Sequence, residues 1–203
     1  MTKIAVIIGS TRPGRRGANV AQWVQDASNS HEAVKTGDAT VEIVDIAEFG
    51  LPLLDETMPA LFGQYRNEHT QKWARTIASY DAFVFVTPEY NRSVPASLKN
   101  AIDFLYNEWS NKAAGFVSYG TQGGLRAVEH LRTTLAEVKV ADVATAVGLQ
   151  IFTDFTFSDP TNPLDPGTVT PGPHQEPTLH KMLDELIAWS GALKPLRTEA
   201  VTH

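Results

Sequence analysis

The chain has 203 residues, 42% hydrophobic and 20% charged, with a formal net charge of −6 and no cysteine. That length suits one domain with a sizeable core, and the missing cysteine excludes disulfides, thiolate nucleophiles, cysteine-ligated zinc and iron–sulfur clusters. No apolar run approaches the roughly 18 residues of a membrane span, and an acidic chain lacks the basic stripe of a nucleic-acid binder, so neither partner is expected.

Lys3 to Ile8 is nearly all apolar and β-branched, the pattern of a strand buried on both faces. It is too short for a signal-peptide core, and Gly9-Ser10-Thr11-Arg12 follows it instead of a small-residue cleavage site. The mature chain is therefore expected to start at Met1 and to stay in the cytoplasm. Val20, Trp23, Val24 and Ala27 give the next segment one apolar helical face. Thr40 to Ile46 reads as a second strand nearer an edge, residues 47–66 as a loop, and Asn67 to Ser79 as a helix with Trp73 and Ile77 inward. Asp81 to Val86 is a third, buried strand. Pro95 is placed as a first helical residue, followed by the stripe Leu98, Ala101, Ile102 and Leu105. Ala113 to Tyr119 is a fourth strand. Leu125, Val128, Leu131 and Leu135 mark a fourth helix, and Asp142 to Val147, with flanking residues, a weaker fifth strand. Leu179, Met182, Leu183, Leu186 and Ile187 form the final helix. Strands alternating with helices predict an α/β fold, a three-layer doubly wound five-stranded parallel sheet. Residues 1–195 are expected to be one domain, with 158–173 a loop serving as arm, lid or disordered insert, and 196–203 a frayed tail.

In open α/β sheets ligands sit beyond the carboxyl ends of the strands, at the topological switch point. Three loops there have unusual composition. The first, Gly9 to Gly17, holds the one notable basic cluster, Arg12, Arg15 and Arg16, among glycines and hydroxyls before a helix start. Backbone N–H groups, the helix N-terminus and guanidinium groups together suit a small anion. Its spacing is neither Gly-x-Gly-x-x-Gly nor a Walker A loop. Capping of the helix by Ser10 or Thr11 is a compatible alternative. The second loop, Thr87 to Pro95, joins the aromatic ring of Tyr90 to two stiffening prolines. The third, Tyr119 to Gly124, carries three glycines that permit close approach of a flat ligand.

Together these loops resemble the NADPH-dependent FMN reductase family, flavodoxin-like flavoproteins that include quinone, azo-dye and chromate reductases. Gly9-Ser10-Thr11-Arg12 and Pro88-Glu89-Tyr90-Asn91 are the most specific pieces, and the match runs from Lys3 to about Val147. The resemblance implies an FMN enzyme with NADPH or NADH as donor, working ping-pong: hydride passes to flavin N5, the nicotinamide leaves, and a small-molecule acceptor is reduced. It implies that Ser10, Arg12 and Arg15 hold the FMN phosphate, with Gly17 and Asn19 near it. Pro88, Glu89, Tyr90 and Asn91 would line the isoalloxazine, and Ser118, Gly120, Gly123 and Gly124 would face its other edge. It also implies a homodimer or homotetramer, with Trp109 and the loop from Ser158 contributing to the interface. No protein acid or base is required for hydride transfer, and Glu89 reads as a surface carboxylate. The different-class alternative is a flavodoxin-like FMN electron carrier without nicotinamide reductase activity. A non-catalytic interaction module is a third possibility. The six dispersed histidines show no metal-binding spacing, and no Gly-x-Ser-x-Gly elbow occurs.

Overall fold

A computed structural model describes residues 1–162 and 164–199. In chain order the main elements are β1 (Thr2–Ile8), α1 (Gly17–Ser28), α2 (Glu32–Lys35), β2 (Ala39–Asp45), α3 (Glu68–Ala78), β3 (Ala82–Pro88), α4 (Ala96–Asp103), β4 (Lys112–Gly120), α5 (Leu125–Glu137) and β5 (Val140–Gln150). Two short strands, β6 (Phe155–Thr156) and β7 (Thr168–Val169), and the helix α6 (Gln175–Glu199) complete the described chain.

The five long strands pair in the order β2-β1-β3-β4-β5, every pairing parallel. This is the flavodoxin-like order, and its switch point lies between β1 and β3. Strand alternation sends neighbouring side chains into two separate cores. Ile4, Val6 and Ile8 point to the face covered by α1 and α6, where Val20, Val24, Leu179, Met182 and Leu186 are buried. Ala5 and Ile7 point to the face covered by α3, α4 and α5. An aromatic cluster anchors that second face. Trp109 lies 4.9 Å from Phe83 and 6.0 Å from Trp73, ring centre to ring centre. The indole N–H groups donate to Ala101 (Trp73) and Ile102 (Trp109) carbonyls, so these large rings are buried without an orphaned donor. Trp109 is fully buried, which makes it core packing of its own domain face and removes it as an interface residue.

Several boundaries differ from the sequence expectation. Pro95 is the cap before α4, with ψ of 143°, and the helix proper begins at Ala96. Leu125 is 55% exposed at the first position of α5, whereas Ala127 and Val128 of the same turn are buried. β5 runs over 11 residues, extending past Asp142 to Val147 on both sides, because the edge strand stays paired with β4 as far as Gln150. Residues 196–199 are helical instead of frayed. Arg197 pins this end of α6 by donating to Asp81 Oδ1 at 2.9 Å and to the Asn111 carbonyl at 3.0 Å. The rest of the expected tail, 200–203, lies outside the described residues.

The segment after β5 is an ordered arm. β6 and β7 pair antiparallel, Phe155 with Val169 and Thr156 with Thr168. Buried Asp154 clasps both ends of the arm, accepting from the N–H groups of Gln150 at 2.8 Å and Gly172 at 2.9 Å. Within it, Asp165 accepts from the N–H groups of Asp159 and Gly167, bonds that hold its carboxyl below the usual range. Among the described residues of the arm, these bonds pair part of its backbone internally. Among the described residues no helix is long and apolar enough to cross a membrane.

Candidate active site

The first loop leaves β1 at the switch point. Gly9 keeps its N–H on the Val86 carbonyl at 2.9 Å, tying the ends of β1 and β3 together. A Cβ here would stand 2.9 Å from Leu98 and 3.2 Å from the Val86 oxygen, so only glycine fits between strand and helix. Beyond it the loop turns so that Ser10 is buried and Arg12 exposed. Neither Ser10 nor Thr11 caps α1. Its N-cap is Arg16, with no side-chain cap bond, so side chains leave the first-turn N–H groups of the helix uncapped.

The three arginines go to different places. Arg15 pairs with Asp45 at the end of β2. Arg16 donates to the Asp165 carbonyl at 3.2 Å and stacks on Phe157, its guanidinium carbon 5.2 Å from the ring centre. Arg12 donates from Nε to the Tyr90 hydroxyl at 3.3 Å. Ser10 Oγ shares a hydrogen bond with the same hydroxyl at 3.1 Å. The Tyr90 phenol is thus the point where the first and second loops meet, 80 residues apart in sequence for Ser10.

The second loop is held in a tight two-bond turn. Tyr90 and Ser93 exchange backbone hydrogen bonds of 2.9 and 3.0 Å, with Asn91 at φ 50° and Arg92 at φ 71°. This is the I′ geometry, which glycine and asparagine prefer; a left-handed arginine stores roughly 1 kcal/mol of strain or more. Glu89 is mostly buried, 11% exposed at its side chain, and accepts from Arg126 Nε at 2.7 Å. Its reading as a surface carboxylate is therefore corrected: the turn carries it inward against α5. Its second oxygen is buried without a partner.

In the third loop Ser118 is fully buried and donates to the Gly123 carbonyl at 2.5 Å. Gly124 has φ of 71°, and a Cβ there would lie 3.0 Å from Ser118 and from the Tyr119 backbone. Ser118, Gly123 and Gly124 thus shape the loop from within. Tyr119 is buried, and burial raises its phenol pKa, so it stays neutral. Asn19 donates to the Gly167 carbonyl at 2.7 Å and is committed to the arm, and Gly17 is buried at the start of α1.

A pocket of about 120 Å³ lies where the three loops converge. Of the residues singled out by sequence, Arg12, Pro88, Glu89, Tyr90 and Gly120 line it, and Ser10 reaches it through the Tyr90 hydroxyl. Asn19, Asn91, Ser118, Gly123 and Gly124 are not among its lining residues. Arg16, Tyr119, Thr121 and Ile151 line it without having been assigned. Tyr119 and Thr121 flank Gly120, so alternation in the third loop was a usable signal; Ile151 lies past the expected end of the fifth strand and had none. A second pocket of about 280 Å³ opens on the other side of the first loop, between Thr11, Ala47 and Ser97.

These features fit a flavin phosphate. Arg12 and Arg16 have no carboxylate partner among the described residues, whereas Arg15 has one. The Nε atoms of Arg15 and Arg16 are buried without partners, and the start of α1 has no side-chain cap. A dianionic group beside such a helix start would meet donors and positive charge together. A neutral Tyr119, the ring of Tyr90 and the Gly120 backbone beside it suit a flat heterocycle.

Comparison with known proteins agrees. Residues 2–154 match the family described as NADPH-dependent FMN reductase. An NAD(P)H-dependent FMN reductase of a Nectria species is 44% identical over 148 residues, covering 71% of this chain and 72% of that one. The NAD(P)H-dependent FMN reductase of Saccharomyces cerevisiae is 37% identical over 144 residues, covering 68% and 75%. A quinone reductase of Pseudomonas putida is 35% identical over 139 residues, covering 65% and 68%. The solved structure of FerB, an NAD(P)H:(acceptor) oxidoreductase of Paracoccus denitrificans, superposes with a TM-score of 0.70 at 22% identity, covering 95% of this chain and 98% of that one. With three quarters of its length inside the family match, the chain belongs to the NADPH-dependent FMN reductase family.

Proposed function

We propose that this chain is an NAD(P)H-dependent FMN oxidoreductase serving a quinone, a free flavin or a similar small-molecule acceptor. Bound FMN supplies the redox chemistry, accepting hydride from NADPH or NADH and returning electrons to the acceptor. The observation that carries the reading is the junction at the Tyr90 hydroxyl. It joins the first two loops beside Arg12, a cation without a carboxylate partner among the described residues.

The residues divide the work. Ser10 and Arg12, with the N–H groups opening α1, hold the phosphate. Arg15 braces the loop through Asp45 and lends its charge at one remove. Pro88, Glu89, Tyr90 and Gly120, with Tyr119 opposite, form the walls of the isoalloxazine site. Asn91 sets the turn that aims Tyr90. Ser118, Gly123 and Gly124 fix the third loop, and Gly17 and Asn19 seat the start of α1 and the arm. Ile151 closes one side against water.

The test is a visible spectrum of the purified protein, followed by NADPH or NADH without oxygen. A flavin spectrum that bleaches supports the reading, and the faster donor sets the preference. A flavin that stays oxidised favours the electron carrier, and a protein that takes up no added FMN removes the phosphate-loop argument.

The proposal includes a homodimer or homotetramer in the cytoplasm. Leu53, Leu54, Leu61 and Phe62 stand 48 to 83% exposed within one connecting segment, an apolar surface suited to a second copy. The reduced nicotinamide it consumes is made inside cells. Light scattering and cell fractionation test the two statements.

A further inference from the structure

Where the family match ends, the arm builds a pocket against the first loop, three of its lining residues lying beyond residue 154. It has a volume of about 190 Å³ and is lined by Arg16, Ile151, Phe152, Phe157, Pro160 and Asn162. Arg16 and Ile151 also line the pocket between the three loops, so the two spaces adjoin through the same side chains. Four of the six lining residues are apolar, two of them aromatic. Phe152 is 77% exposed, a large ring held in water at the rim of the space. Covering such a ring with a ligand removes apolar surface from water and is favourable.

The polar chemistry of this slot is one-sided. Arg16 contributes a full positive charge. It donates to the carbonyl of Asp165 and lies close enough to that residue's carboxylate to help lower its pKa without forming an ion pair, and its Nε is buried with no partner. Asn162 has its Oδ1 committed to the Leu164 N–H at 2.9 Å, so its amide offers donors. Among the described residues no carboxylate lines the slot. Flat apolar walls, a cation and an amide donor match one ligand chemistry. We propose that the arm slot binds a flat aromatic ring bearing an anionic group, beside the flavin pocket. Two sources carry that chemistry: an acidic hydroxyquinone acceptor, and the adenine nucleotide half of the nicotinamide donor. The inference deepens the flavoenzyme reading and rests on it for why such a ligand comes to this face.

Calorimetric titration of the FMN-loaded protein reads the slot without turnover. The probes are 2-hydroxy-1,4-naphthoquinone and ADP, with 1,4-naphthoquinone and adenosine as neutral counterparts. Two variants test the two halves of the slot. Phe152→Ser removes an exposed ring, and Asn162→Asp adds a negative charge while keeping the acceptor for the Leu164 N–H. At least one anionic probe is expected to bind the unaltered protein and to lose about fivefold or more in both variants. Its neutral counterpart is expected to ignore Asn162→Asp. The probe that binds identifies the source. Binding of neither anionic probe, or a loss under about fivefold in either variant, overturns the proposal. A protein that takes up no FMN overturns the flavoenzyme reading instead, and is seen in the visible spectrum before any probe is added.

Discussion

Tyr90→Phe removes one oxygen and nothing else, so it tests whether the first two loops act as a unit. The phenol accepts from Arg12 Nε at 3.3 Å and shares a bond with Ser10 Oγ at 3.1 Å. A hydrogen bond from a charged donor is worth roughly 1.5–3 kcal/mol, but Tyr90 is 37% exposed and the contact is long, so about 1 kcal/mol is the appropriate figure. The neutral Ser10 bond adds about 0.5 kcal/mol for the same reasons. If FMN must re-order Arg12 and Ser10 when it binds, that loss appears in its affinity as a roughly tenfold higher Kd. The assay is quenching of FMN fluorescence on titration with apoprotein, run as a double-mutant cycle with Arg12→Gln. The expected coupling is about 1 kcal/mol, above the roughly 0.5 kcal/mol scatter of independent sites. A Tyr90→Phe protein within about twofold of the parent, or a cycle additive within that scatter, would refute the idea that the phenol preorganises the phosphate loop.

Three other outcomes follow from the same structure. Arg12→Gln is expected to weaken FMN by about 1.5–3 kcal/mol and Arg15→Gln by clearly less, because Arg15 is neutralised by Asp45; equal losses in a fluorescence titration would show that both touch the phosphate. Gly124→Ala combines a φ of 71° with a Cβ 3.0 Å from backbone, so urea unfolding should show a loss of about 2 kcal/mol or more, and an unchanged midpoint would contradict the loop geometry. Burial lowers the Lys112 pKa from 10.5 to about 8, so the unfolded chain binds the extra proton between these values and stability should rise with pH from about 8 toward 10, by up to about 3 kcal/mol over the full window. Above pH 10 the raised phenol pKa values of Tyr65, Tyr80 and Tyr119 oppose the rise, so the check is the difference in urea stability between the parent and Lys112→Met, which should lose the upward slope.

The fold was largely legible because each strand announces its burial locally. Ile4 to Ile8 has no polar residue, which a half-solvated strand would need, and it sits buried within the sheet. Trp73 and Ile77, one turn apart, both face the core, as helical spacing demands. What local pattern missed was set by remote partners. Nothing near residue 197 in sequence signals order; its guanidinium is satisfied by Asp81, 116 residues away. Leu125 has the right spacing for a core position, yet at the very start of α5 it stays exposed while Ala127 and Val128 in the same turn are buried.

The site divides along the same line. Backbone roles were readable from glycine and proline positions, since a tight turn needs them wherever it occurs. The destinations of the three arginines were not, because each is chosen by a different part of the chain: Arg12 by the Tyr90 turn, Arg15 by the end of β2, Arg16 by the arm. This division has a functional consequence. A loop whose cations were all free would repel itself before a phosphate arrived, and one whose cations were all paired would have to break an ion pair to bind. With Arg15 neutralised by Asp45, the loop keeps two arginines without an ion-pair partner among the described residues, both lining the three-loop pocket and Arg16 also lining the arm slot. Net affinity for a dianion is then gained without desolvating a buried salt bridge, whose separation would cost several kcal/mol.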